Sequence, residues 1–313
     1  MRIVFVGSPE FAIPSLTSLH NHFQIVGVIT QPDRPAGRGR NKRPSAVKTF
    51  ALQNDLALIQ PRKIRDEDVH TQIKIWKPDV VVVAAYGQII PSSMLNILPR
   101  GFVNVHASLL PRWRGAAPVQ AAILHGDATT GVTIMQMDPG MDTGPIIAQS
   151  KIAIDEEETA GELLSRLSHL GSRLIVDTLP PYLTGDIKAI PQNHQEATSA
   201  PLIKKGDGMF TPDQPAEYIA RQVRAYEPWP GSFFHWDSKI VRVRKAHAIP
   251  SAEENIGQII QVNNKPAICM REGVLVLDEI QISGKKALPG EVFLRGARDF
   301  VGYKLDFEKI VDE

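Results

Sequence analysis

Four consecutive valines, Val80 to Val83, followed by Ala84 and Ala85, constrain this fold more than any other stretch. A run that is apolar at every position leaves no face for water, so it suits a strand covered on both sides in a parallel sheet. Ile3-Val4-Phe5-Val6 and Ile25-Val26-Gly27-Val28-Ile29 are of the same kind, and Leu56-Ala57-Leu58-Ile59 is shorter. Helical patterns separate them: Phe11, Ile13, Leu16 and Leu19, then Ser45 to Asn54, then Asp66 to Trp76. This β-α-β-α-β-α-β alternation predicts an α/β fold, an open and mostly parallel sheet with covering helices.

The first turn, Gly7-Ser8-Pro9-Glu10-Phe11, resembles a dinucleotide loop only superficially. The G-x-G-x-x-G pattern needs glycines at positions held by Pro9 and Ala12. Proline also removes an amide donor from a phosphate cradle. The expectation is a Rossmann-like topology without a nicotinamide site, with Ser8 as N-cap and Pro9 at N1 of the first helix.

Gly101-Phe102-Val103 opens another strand, and Pro118 to Leu124 reads as the helix after it. Gly131 to Met137 and the run from Ile146 to Ile154 are joined by the turn-rich loop 138–145, which favours an antiparallel pair. Thr159 and Glu162 form a capping-box pattern opening a long helix to about Leu183. Periodicity then lapses. The expected organisation is a catalytic domain over 1–187, a linker over 188–207 and a smaller domain over 208–313. The last has one helix, Pro215 to Tyr226, and five short strands between Ser232 and Ile282, the pattern of a small β-barrel.

The net charge of +1 excludes a global pull towards nucleic acid or membrane, so any basic footprint is local. The 208–313 segment is balanced, with 14 Lys and Arg against 15 Asp and Glu. The stretch Thr30 to Pro44 is not: Arg34, Arg38, Arg40, Lys42 and Arg43 face the single acid Asp33. Arginine among glycine and proline suits phosphate-backbone contact, and a solvated excursion is the alternative. The lone Cys269 excludes an internal disulfide. No run approaches the ~20 apolar residues of a membrane span, and no signal peptide is visible, so a cytoplasmic protein is expected.

Asn104 and His106 share one face of their strand while Val103 and Val105 share the other. A neutral amide donor beside an imidazole suits a carbonyl reaction in which an oxyanion develops and a proton moves. Asp142, in a glycine-flanked loop, is the candidate carboxylate. Ser108 lacks a nucleophile elbow, and no H-E-x-x-H spacing supports metal. A satisfied structural histidine is the competing account of His106. Chemistry alone reaches an acyl- or carbonyl-active site.

Asn104-x-His106, Ser108-Leu109-Leu110-Pro111, Arg114-Gly115-Ala116 and Asp142 closely resemble the 10-formyltetrahydrofolate-dependent formyltransferases. The resemblance runs from Gly7-Ser8-Pro9-Glu10-Phe11-Ala12 to Gly284-Lys285-Lys286. It implies Asn104, His106 and Asp142 as the catalytic triplet, direct amine attack through an oxyanion intermediate, and no metal. It implies folate contacts at Ser108, Leu109, Leu110 and Pro111, at Tyr86, Gly87, Gln88, Ile89 and Ile90, and at the loop 138–144. Gln31 to Arg40 is similar to the tRNA-contacting loop of members whose acceptor is methionyl initiator tRNA. Arg224-Ala225-Tyr226-Glu227-Pro228-Trp229-Pro230-Gly231 is similar to their OB-like C-terminal domain. Tetrahydrofolate and that tRNA are the implied partners, the tRNA held by Arg34, Arg38, Arg40, Lys42 and Arg43, and a monomer is expected. Lys204 to Thr211 departs from the family's usual Ile-Asp-Trp ending.

Overall fold

The computed structural model describes residues 1–36, 41–98, 101–251 and 255–305. The chain forms two compact units, one of Met1–Pro118, Thr129–Ala153 and Leu164–Ala200, the other of Val119–Ala128, Ile154–Leu163 and Pro201–Glu313.

The first half runs β1 (Arg2–Gly7), α1 (Ile13–His22), β2 (Gln24–Ile29), β3 (Arg34–Ala36), β4 (Asn41–Arg43), α2 (Ala46–Gln53), β5 (Leu58–Ile59), α3 (Glu67–Trp76), β6 (Val80–Ala84) and α4 (Ser92–Leu95). It continues with β7 (Phe102–His106), β8 (Arg114–Gly115), α5 (Pro118–Leu124), β9 (Thr129–Gln136), β10 (Ile146–Ala153), α6 (Ala160–Thr184) and β11 (Ser199–Ala200). Seven strands form one sheet in the order β10-β9-β7-β6-β1-β2-β5. β5, β2, β1, β6 and β7 are mutually parallel, β9 runs antiparallel to β7, and β10 runs antiparallel to β9. The valine run is β6, buried throughout at the sheet's centre as its composition demands. The chain leaves β1 for β2 and β5, then returns to place β6 on β1's other side. That reversal creates a crevice at the carboxyl ends of β1 and β6, where ligands settle in open α/β sheets. Gly7 and Ala84 are paired at those ends.

Ser8 does not cap α1. The helix starts at Ile13, because Pro14 sits in its first turn and a 3-10 turn over Glu10–Ala12 precedes it. The Ser8 hydroxyl instead accepts from the Gln31 amide at 3.2 Å, tying β1's exit to β2's. The basic stretch after β2 contains the antiparallel hairpin β3–β4. The Thr159–Glu162 capping box forms as expected, through both the Thr159 amide and hydroxyl.

The second unit contains α7 (Ala216–Ala225), β12 (Ser232–Trp236), β13 (Lys239–Ile249), β14 (Ile259–Val262), β15 (Lys265–Cys269), β16 (Val274–Ile282), β17 (Leu288–Pro289) and α8 (Gly290–Gly296). Its antiparallel sheet runs β12-β13-β16-β15-β14, with β17 beside β16. α7 buries Ala216, Ile219, Ala220 and Val223, a helical stripe that joins Val241 and Val243 of β13 in one core. Trp236 and Phe293 each meet Phe300 edge-on at 4.9 Å between centroids, so α8 completes that core. Among the described residues no helix is long and apolar enough to cross a membrane.

Candidate active site

β7 is the strand that carries the polar pair. β6 lies parallel on one side, with Val83 opposite Asn104, and β9 antiparallel on the other, with Thr133 opposite His106. The opposite face is apolar: a Cβ on Gly171 of α6 would sit 2.9 Å from Val105. α6 therefore covers the valine side and leaves Asn104 and His106 on the other.

His106 is 6% exposed, and each ring nitrogen faces an acceptor. Nε2 lies 3.1 Å from the Trp113 carbonyl, and Nδ1 lies 3.6 Å from Asp142 Oδ2. A carbonyl only accepts, so Nε2 carries a proton in this geometry. The longer Nδ1 separation exceeds a direct hydrogen bond and makes Nδ1 the ring position open to further chemistry. Trp113 has φ 61°, a left-handed conformation that aims its carbonyl back at the imidazole.

Asp142 also lies in the left-handed region, at φ 53°. Its Oδ2 accepts from the Gly115 amide at 2.9 Å, which fixes the carboxylate beside His106. Asp138, the neighbouring carboxylate, is spent on its own turn, accepting from the Gly140 amide and the Thr143 hydroxyl. The Asn104 amide has no side-chain hydrogen-bond partner among the described residues and is half-buried at the strand end. The three residues singled out from the sequence are thus brought to one place.

The loop 108–111 is built from inside. The Thr133 hydroxyl donates to the Ser108 carbonyl at 2.6 Å and accepts from the Leu110 amide at 3.0 Å. Gln149 donates to the Leu110 carbonyl at 2.8 Å. Ser108 is fully buried, its hydroxyl spent on the Arg112 carbonyl, whereas Leu109 and Pro111 keep part of their surface open. The segment 86–90 divides similarly. Burial pushes the Tyr86 phenol up to about 12, and its hydroxyl has no hydrogen-bond partner among the described residues. Gln88 is occupied by the Ile64 amide and the Arg62 carbonyl. Ile90 is buried, Gly87 lies at φ 80° with open space beside it, and Ile89 is 79% exposed.

In the basic stretch, Arg38 and Arg40 lie outside the described residues. Arg34 begins β3, Lys42 lies in β4, and Arg43, which ends β4, is exposed. Asp33 pairs with Lys48 at 2.7 Å and accepts from Gln60, anchoring the hairpin's base to α2 and the segment after β5. Among the described residues no group of three or more His, Cys, Asp or Glu side chains is placed to hold a metal. Thr133, Gln149 and Gln192 contribute to the site without any local sequence signal. Each is identified only by its partners across 16 residues or more.

Residues 1–179 match the family model described as "Formyl transferase", and residues 202–298 match "Formyl transferase, C-terminal domain". A methionyl-tRNA formyltransferase of Chloroflexus aggregans is 42% identical over 300 residues, spanning 95% of this chain and 97% of that one. Two solved structures share the fold. An N-formyltransferase from Helicobacter canadensis, in complex with folinic acid and dTDP-3-aminofucose, has a TM-score of 0.67 at 18% identity, over 88% of this chain and 98% of its own. HypX from Aquifex aeolicus has a TM-score of 0.60 at 17% identity over 98% of this chain, which spans about half (52%) of that longer protein. With the near-complete relative and both family models in agreement, the chain belongs to the formyltransferase family, and within it to the methionyl-tRNA formyltransferases, which are enzymes.

Proposed function

We propose that the chain acts as a monomer to transfer the formyl group of 10-formyltetrahydrofolate to the α-amino group of methionyl initiator tRNA, for translation initiation. The observation that carries the chemistry is an Asn104 amide with no side-chain partner among the described residues, on the strand face that carries the His106–Asp142 pair at 3.6 Å. Such a constellation suits a carbonyl carbon attacked by an amine. Asn104 donates to the oxygen as it gains negative charge, a role that needs a donor already in place. His106, its Nε2 proton committed to the Trp113 carbonyl, stabilises the same charge and relays a proton through Nδ1. Asp142 balances the imidazolium and receives the proton that the amine loses on attack, while His106 hands its Nδ1 proton to folate N10 as the bond between N10 and the formyl carbon breaks and tetrahydrofolate leaves. No side chain here is asked to become a covalent nucleophile.

The residues fit a folate. Leu109 and Pro111 offer apolar surface, Ser108 and Leu110 set the loop's shape, and Gly87 and Ile89 present open backbone and side chain. Tyr86, Gln88 and Ile90 hold that backbone in place, and the loop 138–144 closes the opposite side. The bound folate supplies the formyl group. Arg34, Arg38, Arg40, Lys42 and Arg43 bind tRNA phosphates. By function the chain divides into a catalytic domain over 1–187, a linker over 188–207 and an OB-like domain over 208–313. The antiparallel path β12-β13-β16-β15-β14 and the C-terminal family match support the last.

Incubation with labelled 10-formyltetrahydrofolate and either methionyl initiator tRNA or an amino-sugar nucleotide tests this function. Label is expected on the aminoacyl-tRNA. Label on the sugar nucleotide, or released only as formate, would refute the acceptor assignment.

A further inference from the structure

The mechanism above leaves one buried polar side chain beside Asp142 without a role. Gln192 is 6% exposed and lies in a stretch without helix or extended sheet. Its Nε2 donates to the Asp142 carbonyl at 2.9 Å and to the Gly144 carbonyl at 2.7 Å. Its Oε1 accepts from Arg114 Nε at 3.1 Å and Nη2 at 2.7 Å. The amide orientation is unambiguous, since carbonyls only accept and a guanidinium only donates. Two donors and two lone pairs are all used.

The bonds fall on the residues that matter to the site. Asp142 holds a left-handed backbone, and the Gln192 amide grips the carbonyls of Asp142 itself and of Gly144. The other end grips Arg114, the neighbour of Gly115, whose amide holds the Asp142 carboxylate. One side chain therefore braces Asp142 through its backbone on one side and, one residue removed, its carboxylate partner on the other. Gln192 is itself fixed: Ile190 and Ile146 exchange two backbone hydrogen bonds of 2.8 Å at the start of β10.

We propose that Gln192 is a positioning residue for the formyl transfer, holding the Asp142 carboxylate at its working distance from His106. This rests on the role of Asp142 proposed above. A displacement of about 1 Å at a reacting geometry is enough to cost on the order of 10²-fold in rate.

A double-mutant cycle on single-turnover transfer separates positioning from general structural support. The four proteins are the parent chain, Gln192→Ala, Asp142→Asn and the double variant, each with 10-formyltetrahydrofolate and methionyl-tRNA. Gln192→Ala is expected to slow transfer roughly 10- to 100-fold in the parent. In the Asp142→Asn background it should cost almost nothing, because the group it positions is already disabled. An equal loss in both backgrounds, or none in the parent, overturns the proposal while leaving Asp142 intact. No loss from Asp142→Asn alone overturns the catalytic reading and this proposal with it. Should Gln192→Ala fail to fold by thermal unfolding, Gln192→Met, which keeps length and volume, runs the same cycle with the same outcomes.

Discussion

Asn104 is half-buried on the strand face it shares with His106, yet its amide bonds no other described residue. A buried or half-buried amide without a partner is unfavourable to leave, which is why most are satisfied. In the proposed reaction the donor is held ready for an oxygen whose charge grows only as the reaction proceeds, so its value is greatest in the transition state. Asn104→Ala should therefore slow single-turnover transfer by roughly 10²–10³-fold. Asn104→Asp should do worse, since it sets a carboxylate against the developing charge. An Asn104→Ala enzyme with undiminished single-turnover transfer would remove this residue from the site. Asn104 and His106 were legible in the sequence because strand alternation is strictly two-residue, and both polar groups fall on one phase. Asp142 was legible as a carboxylate between glycines, but its alignment depends on the Gly115 amide, 27 residues away.

At the scale of elements, the strands of the parallel sheet and the helices between them follow from apolar runs and 3.6-residue patterns, and they appear where those patterns lie. What escaped shares one physical character. β8, β11, α8 and the β3–β4 hairpin are short and carry no local periodicity: β8 and β11 are stabilised by a partner distant in sequence, and the hairpin pairs Arg34 with Arg43 without an apolar alternation to announce it. β8 is the functional case. It pairs with β11, with Arg114 opposite Ser199 and Gly115 opposite Ala200. Gly115 has φ 122°, and a Cβ there would stand 2.5 Å from the Ala200 carbonyl oxygen. Only glycine fits this conformation and this approach together. Gly115→Ala should lower stability by about 1–3 kcal/mol in urea unfolding, and it should slow transfer because the amide that holds Asp142 must move. Unchanged stability and rate would mean that β8 tolerates a shift and that Asp142 is held by other contacts.

For the whole molecule, a net charge of +1 sets the terms of tRNA binding. A near-neutral protein gains little from its overall field, so affinity for a polyanion has to come from a few placed cations. The hairpin stretch concentrates five of them, and its one acid, Asp33, is neutralised at the base by Lys48. Each phosphate contact releases counterions and adds about one unit to the slope of log K against log salt. Lys42→Gln and Arg43→Gln together should flatten that slope by up to about two units and weaken tRNA binding most at low salt. Transfer at saturating tRNA should persist, because Asn104, His106 and Asp142, the residues proposed for catalysis, are held by β7, β8 and the 138–144 loop rather than by the hairpin. Tetrahydrofolate binding should likewise be unaffected. A salt slope identical to the parent's would take the hairpin out of the tRNA footprint, whereas a loss of saturated turnover would make it part of the reacting geometry.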